Sequence, residues 1–314
     1  MTQLRYGGGG AGSYTLAPVN ARSQRRQEVE VLRIVSAFGI VWYHTASVGR
    51  DFAYVGLIAF LITSMYFATR HAVAPKSVAS RARTLLIPWA IWFLFYGLLN
   101  VVRHQDFLPM AHGWGTGILA GTSIHLWYLP FIFFCMVGFD WIRTQVDARV
   151  LAVVCVVTAG LLLALSRFWR EPSLDLIYPY AQYAHALSGV LIGVFLANCD
   201  VLSRRDRVLA VAALLLSIAM FSASLPGVGV PYLLGVAVTA LALSPAWKGC
   251  IQFDVVWLSE CTFGIYLSHI FWLRLIRSSS NIPELALPFV VFAVSAATVW
   301  MLKKGAPRVA RYVV

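Results

Sequence analysis

EVEVLRIVSAFGIVWYHTAS, residues 28–47, is an apolar run long enough to cross a bilayer as a helix, which takes about 20 residues at 1.5 Å of rise each. It holds two side chains that a lipid-buried helix seldom keeps, Arg33 and His44. They are 11 residues apart. At about 100° per residue that is about 20° beyond three full turns, so both lie on one face, about 16 Å apart along the axis. A cation and an imidazole stacked on one face of a spanning helix point to a polar path through the membrane.

Composition agrees with a membrane setting. The 314 residues are 60% hydrophobic and 12% charged, where a soluble domain has about 25% charged residues. Mean hydropathy is +0.74. Many of the 11 tryptophans lie near the ends of apolar runs, as interfacial anchors do. The five cysteines, at 135, 155, 199, 250 and 261, have no C-x-x-C spacing and read as small packing residues. No metal-ligand pattern, G-x-S-x-G, H-E-x-x-H, phosphate loop or dinucleotide fingerprint is present.

Ten apolar segments follow one another, at about 29–48, 52–69, 84–102, 125–142, 148–168, 176–197, 207–224, 228–244, 255–274 and 284–302. The expected fold is all-α: a polytopic bundle of about ten transmembrane helices. Ten spans put both termini on one side. Eighteen of the 25 Lys and Arg then fall on the N-terminal side and six on the other, with Arg33 inside the first span. The positive-inside rule makes that side the cytoplasm. It also explains most of the net charge of +12, and no basic-aromatic module points to nucleic acid. The domain reading is a disordered basic cytoplasmic tail over 1–27 without a cleaved signal, a membrane domain over 28–304, and a short basic cytoplasmic tail over 305–314. The long loop 103–124, with His104 and His112, reads as a partly re-entrant or interfacial flap.

Four stretches carry candidate chemistry. His44 is either a hydrogen-bonded packing histidine or a general base, and Arg33 on its face favours the second. Arg81 and Arg83 stand at the cytoplasmic mouth, near the inner end where Arg33 lies. They either obey the positive-inside rule or hold phosphate with their planar donor forks. His125, Trp127 and Tyr128 open the fourth segment, either as an aromatic belt or as a wall for sugar rings. Tyr266 and His269, three apart, share a face in the ninth. His185 reads as a packing residue.

These stretches, in this order, resemble the membrane acyltransferase-3 family of bacterial O-acyltransferases from about residue 24 to 302. That family has an Arg, ten residues, then a His in its first span, matched by Arg33 and His44. Glu30 stands where an Asp is usual. The basic R-x-x-R before a proline appears as Arg81 to Thr84 before Pro88, with Thr84 in place of the second Arg and Arg83 beside it. H-L-W-F/Y-L appears as His125 to Leu129. S-Y-x-I-Y-L-x-H appears as Thr262 to His269, with Thr262 and Phe263 replacing Ser and Tyr.

The resemblance implies transfer of a small acyl group, commonly acetyl, from acyl-CoA to a hydroxyl of a carbohydrate acceptor. The acceptor would be a surface polysaccharide, a lipid-linked glycan or a glycoside. The enzyme would be an acyltransferase moving groups other than amino-acyl groups, in the bacterial inner membrane. Acetyl-CoA is a co-substrate, and no permanent cofactor is expected. Some relatives carry an extracytoplasmic hydrolase-like domain; here donor and acceptor are expected to meet in the membrane domain. On this reading Arg33, Arg81 and Arg83 bind the donor phosphates. His44 is the base, and His125, Trp127, Tyr266 and His269 shape the acceptor side. The competing reading is a transporter or flippase for a glycolipid or anion, which also places Arg and His in a membrane path.

Overall fold

A computed structural model describes residues 25–70, 73–108 and 113–314. The expected N-terminal tail lies outside the described residues up to position 24, and so does His112 of the long loop. Among the described residues the chain is helical throughout, without a strand, as lipid demands of a backbone that must satisfy its own polar groups.

In chain order the helices are α1 (Gln27–Thr45), α2 (Arg50–Ala53), α3 (Val55–Thr69), α4 (Val78–Val102), α5 (Trp114–Ala120), α6 (Tyr128–Gln145), α7 (Ala148–Ala164) and α8 (Ser166–Leu174). Then come α9 (Tyr180–Asn198), α10 (Arg204–Phe221), α11 (Gly229–Leu243), α12 (Val256–Ser259), α13 (Thr262–Ser279), α14 (Leu287–Gly305) and α15 (Pro307–Val313). Each apolar segment read from the sequence is mostly helical, but 52–69 is divided between α2 and α3, 148–168 between α7 and α8, and 255–274 between α12 and α13. By length and apolarity, four stretches are competent to cross a membrane: Arg50–Thr69, Val78–Val102, Tyr180–Val201 and Leu287–Gly305. Ala148–Ala164 and Ser166–Leu174 meet at 73° and make a fifth if they form one broken span. The remaining helices are shorter or carry charge, as α1 does with Glu28, Glu30 and Arg33. Large apolar side chains such as Leu94, Leu98, Phe134, Val157, Leu216 and Phe289 are exposed, as they are in an integral membrane protein whose outer face meets lipid tails.

α3 is the centre, packed against α1, α9 and α11. Glycines permit these crossings. A Cβ on Gly39 would lie 2.7 Å from the Ala53 carbonyl, and one on Gly56 would lie 2.6 Å from the Ser36 carbonyl. Backbone meets backbone there, the small-residue contact typical of membrane helices. α4 and α14 sit at the edge: 28% and 33% of their apolar windows are buried, against 61% for Arg50–Thr69 and 67% for Tyr180–Val201.

Arg26 and residues 307–313, which fall within the stretches read as tails, make contacts with the bundle. The Arg26 guanidinium donates to the carbonyls of Ala242, Leu243 and Ser244 at 2.8–2.9 Å, satisfying the last carbonyls of α11. Residues 307–313 form α15, which packs on α4, and Trp92 Nε1 donates to the Val313 carbonyl at 2.8 Å. The bend between α7 and α8 is held by two hydroxyls. Ser166 Oγ and Ser222 Oγ lie 2.9 Å apart, and both are within hydrogen-bond reach of the Leu163 carbonyl, so their two hydrogens are shared among these three oxygens.

Candidate active site

α1 runs with its face Arg33–Ser36–Ile40–His44 along the bundle. Its last turn is firmly placed. Arg277 donates to the Thr45 carbonyl, Ser47 donates to the Glu284 carbonyl at 2.7 Å, and Ala46 ends the helix in the left-handed region at φ 54°. That conformation costs a non-glycine residue about 1–2 kcal/mol, so the surrounding bonds must hold it. His44 therefore faces a fixed cavity of about 890 Å³. Its walls come from α1 (Ile40, Tyr43, His44), α3 (Leu57), the turn before α6 (Ile124, His125, Trp127), α8 (Arg170), α9 (Gln182, His185) and α13 (Tyr266).

A second histidine stands behind the first. The His269 ring lies 5.2 Å from that of His44 and 5.0 Å from that of His125, and is fully buried. His269 Nδ1 faces the Tyr266 carbonyl at 2.7 Å. A carbonyl only accepts, so in the neutral ring the proton sits on Nδ1. Nε2 then carries a lone pair, buried without a hydrogen-bond partner in the protein. His125 is held at both nitrogens. Nε2 donates to the Leu267 carbonyl at 3.2 Å, and Nδ1 accepts from Ser123 Oγ at 3.2 Å. The Tyr266 hydroxyl donates to the His125 carbonyl. Tyr96 braces the same turn of α13, donating to the Leu267 carbonyl at 2.9 Å. Trp127 is buried and stacks near Phe131 and Tyr183, each with ring centroids at 6.0 Å. His44, His125, Tyr266 and His269 are thus brought together, and Trp127 lines the same cavity.

The three arginines read as donor contacts lie toward the other end. Arg33 pairs with Glu30 at 3.2 Å, and the same carboxylate accepts from Ser259. Arg33 keeps a third of its side chain exposed, at 32%. Arg81 is buried. Its Nε donates to Asp140 at 2.7 Å and its second nitrogen reaches the Ala68 carbonyl at 2.9 Å. Arg143 takes the other Asp140 oxygen at 2.7 Å. Arg83 is exposed and forms no ion pair among the described residues. With Thr84, Pro88, Phe263 and Arg311 it lines a cavity of about 440 Å³. Arg311, from α15, supplies a second guanidinium beside the position where Thr84 departs from the family pattern.

Sequence reading passed over several residues at the His44 end. The sequence alone singles out neither Arg170 nor Gln182 nor Tyr54, and it reads His185 as packing. A signal existed: Gln182 and His185 are the polar residues of one helical turn in an otherwise apolar span, three apart.

The described residues form an all-helical bundle of the integral-membrane class, with a histidine-lined chamber at one end. Residues 26–302 match the acyltransferase-3 family model, described as an acyltransferase domain. The chain belongs to that family and is an integral-membrane acyltransferase by family. No curated protein and no solved structure matches it.

Proposed function

We propose that this protein moves a small acyl group, in the first instance acetyl, from cytoplasmic acyl-CoA to a hydroxyl of a carbohydrate acceptor. Ten spans with cytoplasmic termini in a bacterial inner membrane form the frame of this reading. The observation that carries it is that His44 opens into the larger cavity while Arg33, on the same helical face, lies at the opposite end of α1. The separation of about 16 Å is within reach of a pantetheine arm. Arg33 and the pair Arg83 and Arg311 hold the donor phosphates. Arg81, already paired with Asp140, shapes the mouth.

His44 takes the proton of the acceptor hydroxyl as its oxygen attacks the thioester carbonyl. The tetrahedral intermediate collapses with C–S cleavage, and the imidazolium returns the proton to the departing CoA thiolate. An ester is formed and free CoA leaves. His269 is a positioning residue for His44, and Trp127 and Tyr266 are walls of the acceptor side. His125, bonded to protein at both nitrogens, presents its ring edge.

The test uses full-length protein in detergent. Acetyl-CoA is expected to bind saturably by calorimetry, about 10-fold more weakly in Arg33→Ala, as the loss of one charged hydrogen bond implies. His44→Ala should keep donor affinity and lose about 10²–10⁴ in acetyl transfer, read as released thiol. Folded protein that does not bind acetyl-CoA would remove the donor site and move a transport role to first place.

A further inference from the structure

Three side chains of the larger cavity have polar atoms that find no partner in the protein and that the transfer chemistry does not use. His185 is 3% exposed, with its ring set between Tyr54 and Tyr232 at 5.3 and 5.6 Å, yet neither ring nitrogen is hydrogen-bonded. Gln182, one turn before it on α9, has a buried Oε1 without a donor. Arg170 on α8 has a buried Nε without an acceptor and forms no ion pair among the described residues. All three line the cavity that His44 faces. Arg170 and His185 converge: a Cβ on Gly227 would lie 3.5 Å from a guanidinium nitrogen of the first and 4.0 Å from Cε1 of the second. The 73° bend and its paired serines fix α8, so Arg170 is aimed by the fold.

Buried polar groups are normally satisfied, and three unsatisfied ones facing a single space describe the ligand that belongs there. A guanidinium only donates, and asks for an anionic oxygen. An amide oxygen only accepts, and asks for a hydroxyl. An imidazole offers one of each. The other charged groups on this cavity, Arg50 and Asp51, face each other at 3.5 Å and leave the charge of Arg170 unanswered.

We propose that Arg170, Gln182 and His185 form a seat for an anionic, hydroxyl-bearing group, a carboxylate or phosphate carried on a sugar. On the acyltransferase reading, on which the word acceptor rests, this makes the acceptor an acidic sugar held beside His44. The seat selects the acceptor by its charge and leaves the donor site untouched.

The test is binding to full-length protein in detergent, with no acyl donor needed. The probes are methyl β-D-glucuronide, D-glucose 1-phosphate and the neutral methyl β-D-glucoside. One of the two anions is expected to bind at least 10-fold more tightly than the glucoside, and which one does so separates carboxylate from phosphate. Arg170→Gln should erase that advantage while affinities for the glucoside and for acetyl-CoA stay as in the wild type. Arg170→Lys should keep part of it. Gln182→Leu, which leaves the charge in place, should weaken the preferred anion about 3–10-fold, so the test stands even if Arg170→Gln does not fold. Equal affinity for all three probes, or an advantage that survives Arg170→Gln, overturns the proposal. An anion seat that behaves as expected in a protein unable to acetylate any sugar would keep the seat and sink the transferase reading instead.

Discussion

At the Arg33 end of the bundle, Asp140 takes Arg81 on one oxygen and Arg143 on the other, Glu30 takes Arg33 and Ser259, and Arg26 donates to three carbonyls. Arg26 Nε and Arg143 Nε there lack a hydrogen bond, but both guanidiniums are held through their other nitrogens. At the His44 end, His185 has neither ring nitrogen bonded, Arg170 forms no ion pair among the described residues, and Gln182 Oε1 and His269 Nε2 are buried without protein partners. Both ends bury charge or polarity in a protein that is 12% charged, so the contrast does not come from composition. It separates groups that hold helices together from groups left available to a ligand. The paired end behaves as structure, and the unpaired end as a site.

The largest effect expected from this contrast is on stability. Asp140→Ala leaves Arg81 and Arg143 buried without their carboxylate, a change that costs about 3–5 kcal/mol when a buried pair is broken from one side. Thermal unfolding in detergent should show a large fall in Tm. Arg170→Gln, which removes a cation with no ion-pair partner, should leave Tm near the wild-type value. If the two variants were equally destabilised, the division between a structural end and a binding end would not hold.

Next comes the link between the ends. Gly56→Ala places a Cβ 2.6 Å from the Ser36 carbonyl and 2.9 Å from Gly39 Cα, and neither backbone can move aside alone. The strain of such overpacking is about 1–3 kcal/mol. Because Arg33 and His44 ride on the same helix, displacement of α1 should lower acetyl-CoA affinity and acetyl transfer together. His44→Ala separates these two readouts.

How much of this was legible beforehand follows from range along the chain. The long helices are written in runs of apolar residues, and the shared face of Arg33 and His44 follows from helical period alone. The neighbourhood of His44 was legible in part, since His125, Tyr266 and His269 stood in motifs. The pairing of Arg81 with Asp140 spans 59 residues, and no local pattern announces which of several cations a buried acid will choose. Arg170 and His185 meet only because α7 and α8 bend sharply, and the bend is held by a serine 56 residues away. The last ten residues read as a tail because they are too few to span a bilayer and carry Arg308 and Arg311. Yet Pro307 starts a helix there, and the Val313 carbonyl finds Trp92.

The smallest effect concerns a cavity at the paired end that two unpaired cations line. Arg83 and Arg311 line the same cavity of about 440 Å³ and neither forms an ion pair among the described residues. Thr84 stands where the family pattern has a second arginine, and α15 brings Arg311 to the adjoining wall. If that cavity seats donor phosphates, Arg311→Ala should weaken acetyl-CoA binding only a few-fold, because an exposed charge contact contributes about 0.2–1 kcal/mol. Salt should shrink the effect further, with a screening length near 8 Å at physiological ionic strength. Calorimetry at low and at physiological salt, on Arg83→Ala, Arg311→Ala and the double variant, checks this. A double variant weaker than either single one would give the two guanidiniums a shared ligand. An affinity that none of the three changes at low salt would confine donor binding to Arg33 and make the C-terminal helix purely a brace for α4.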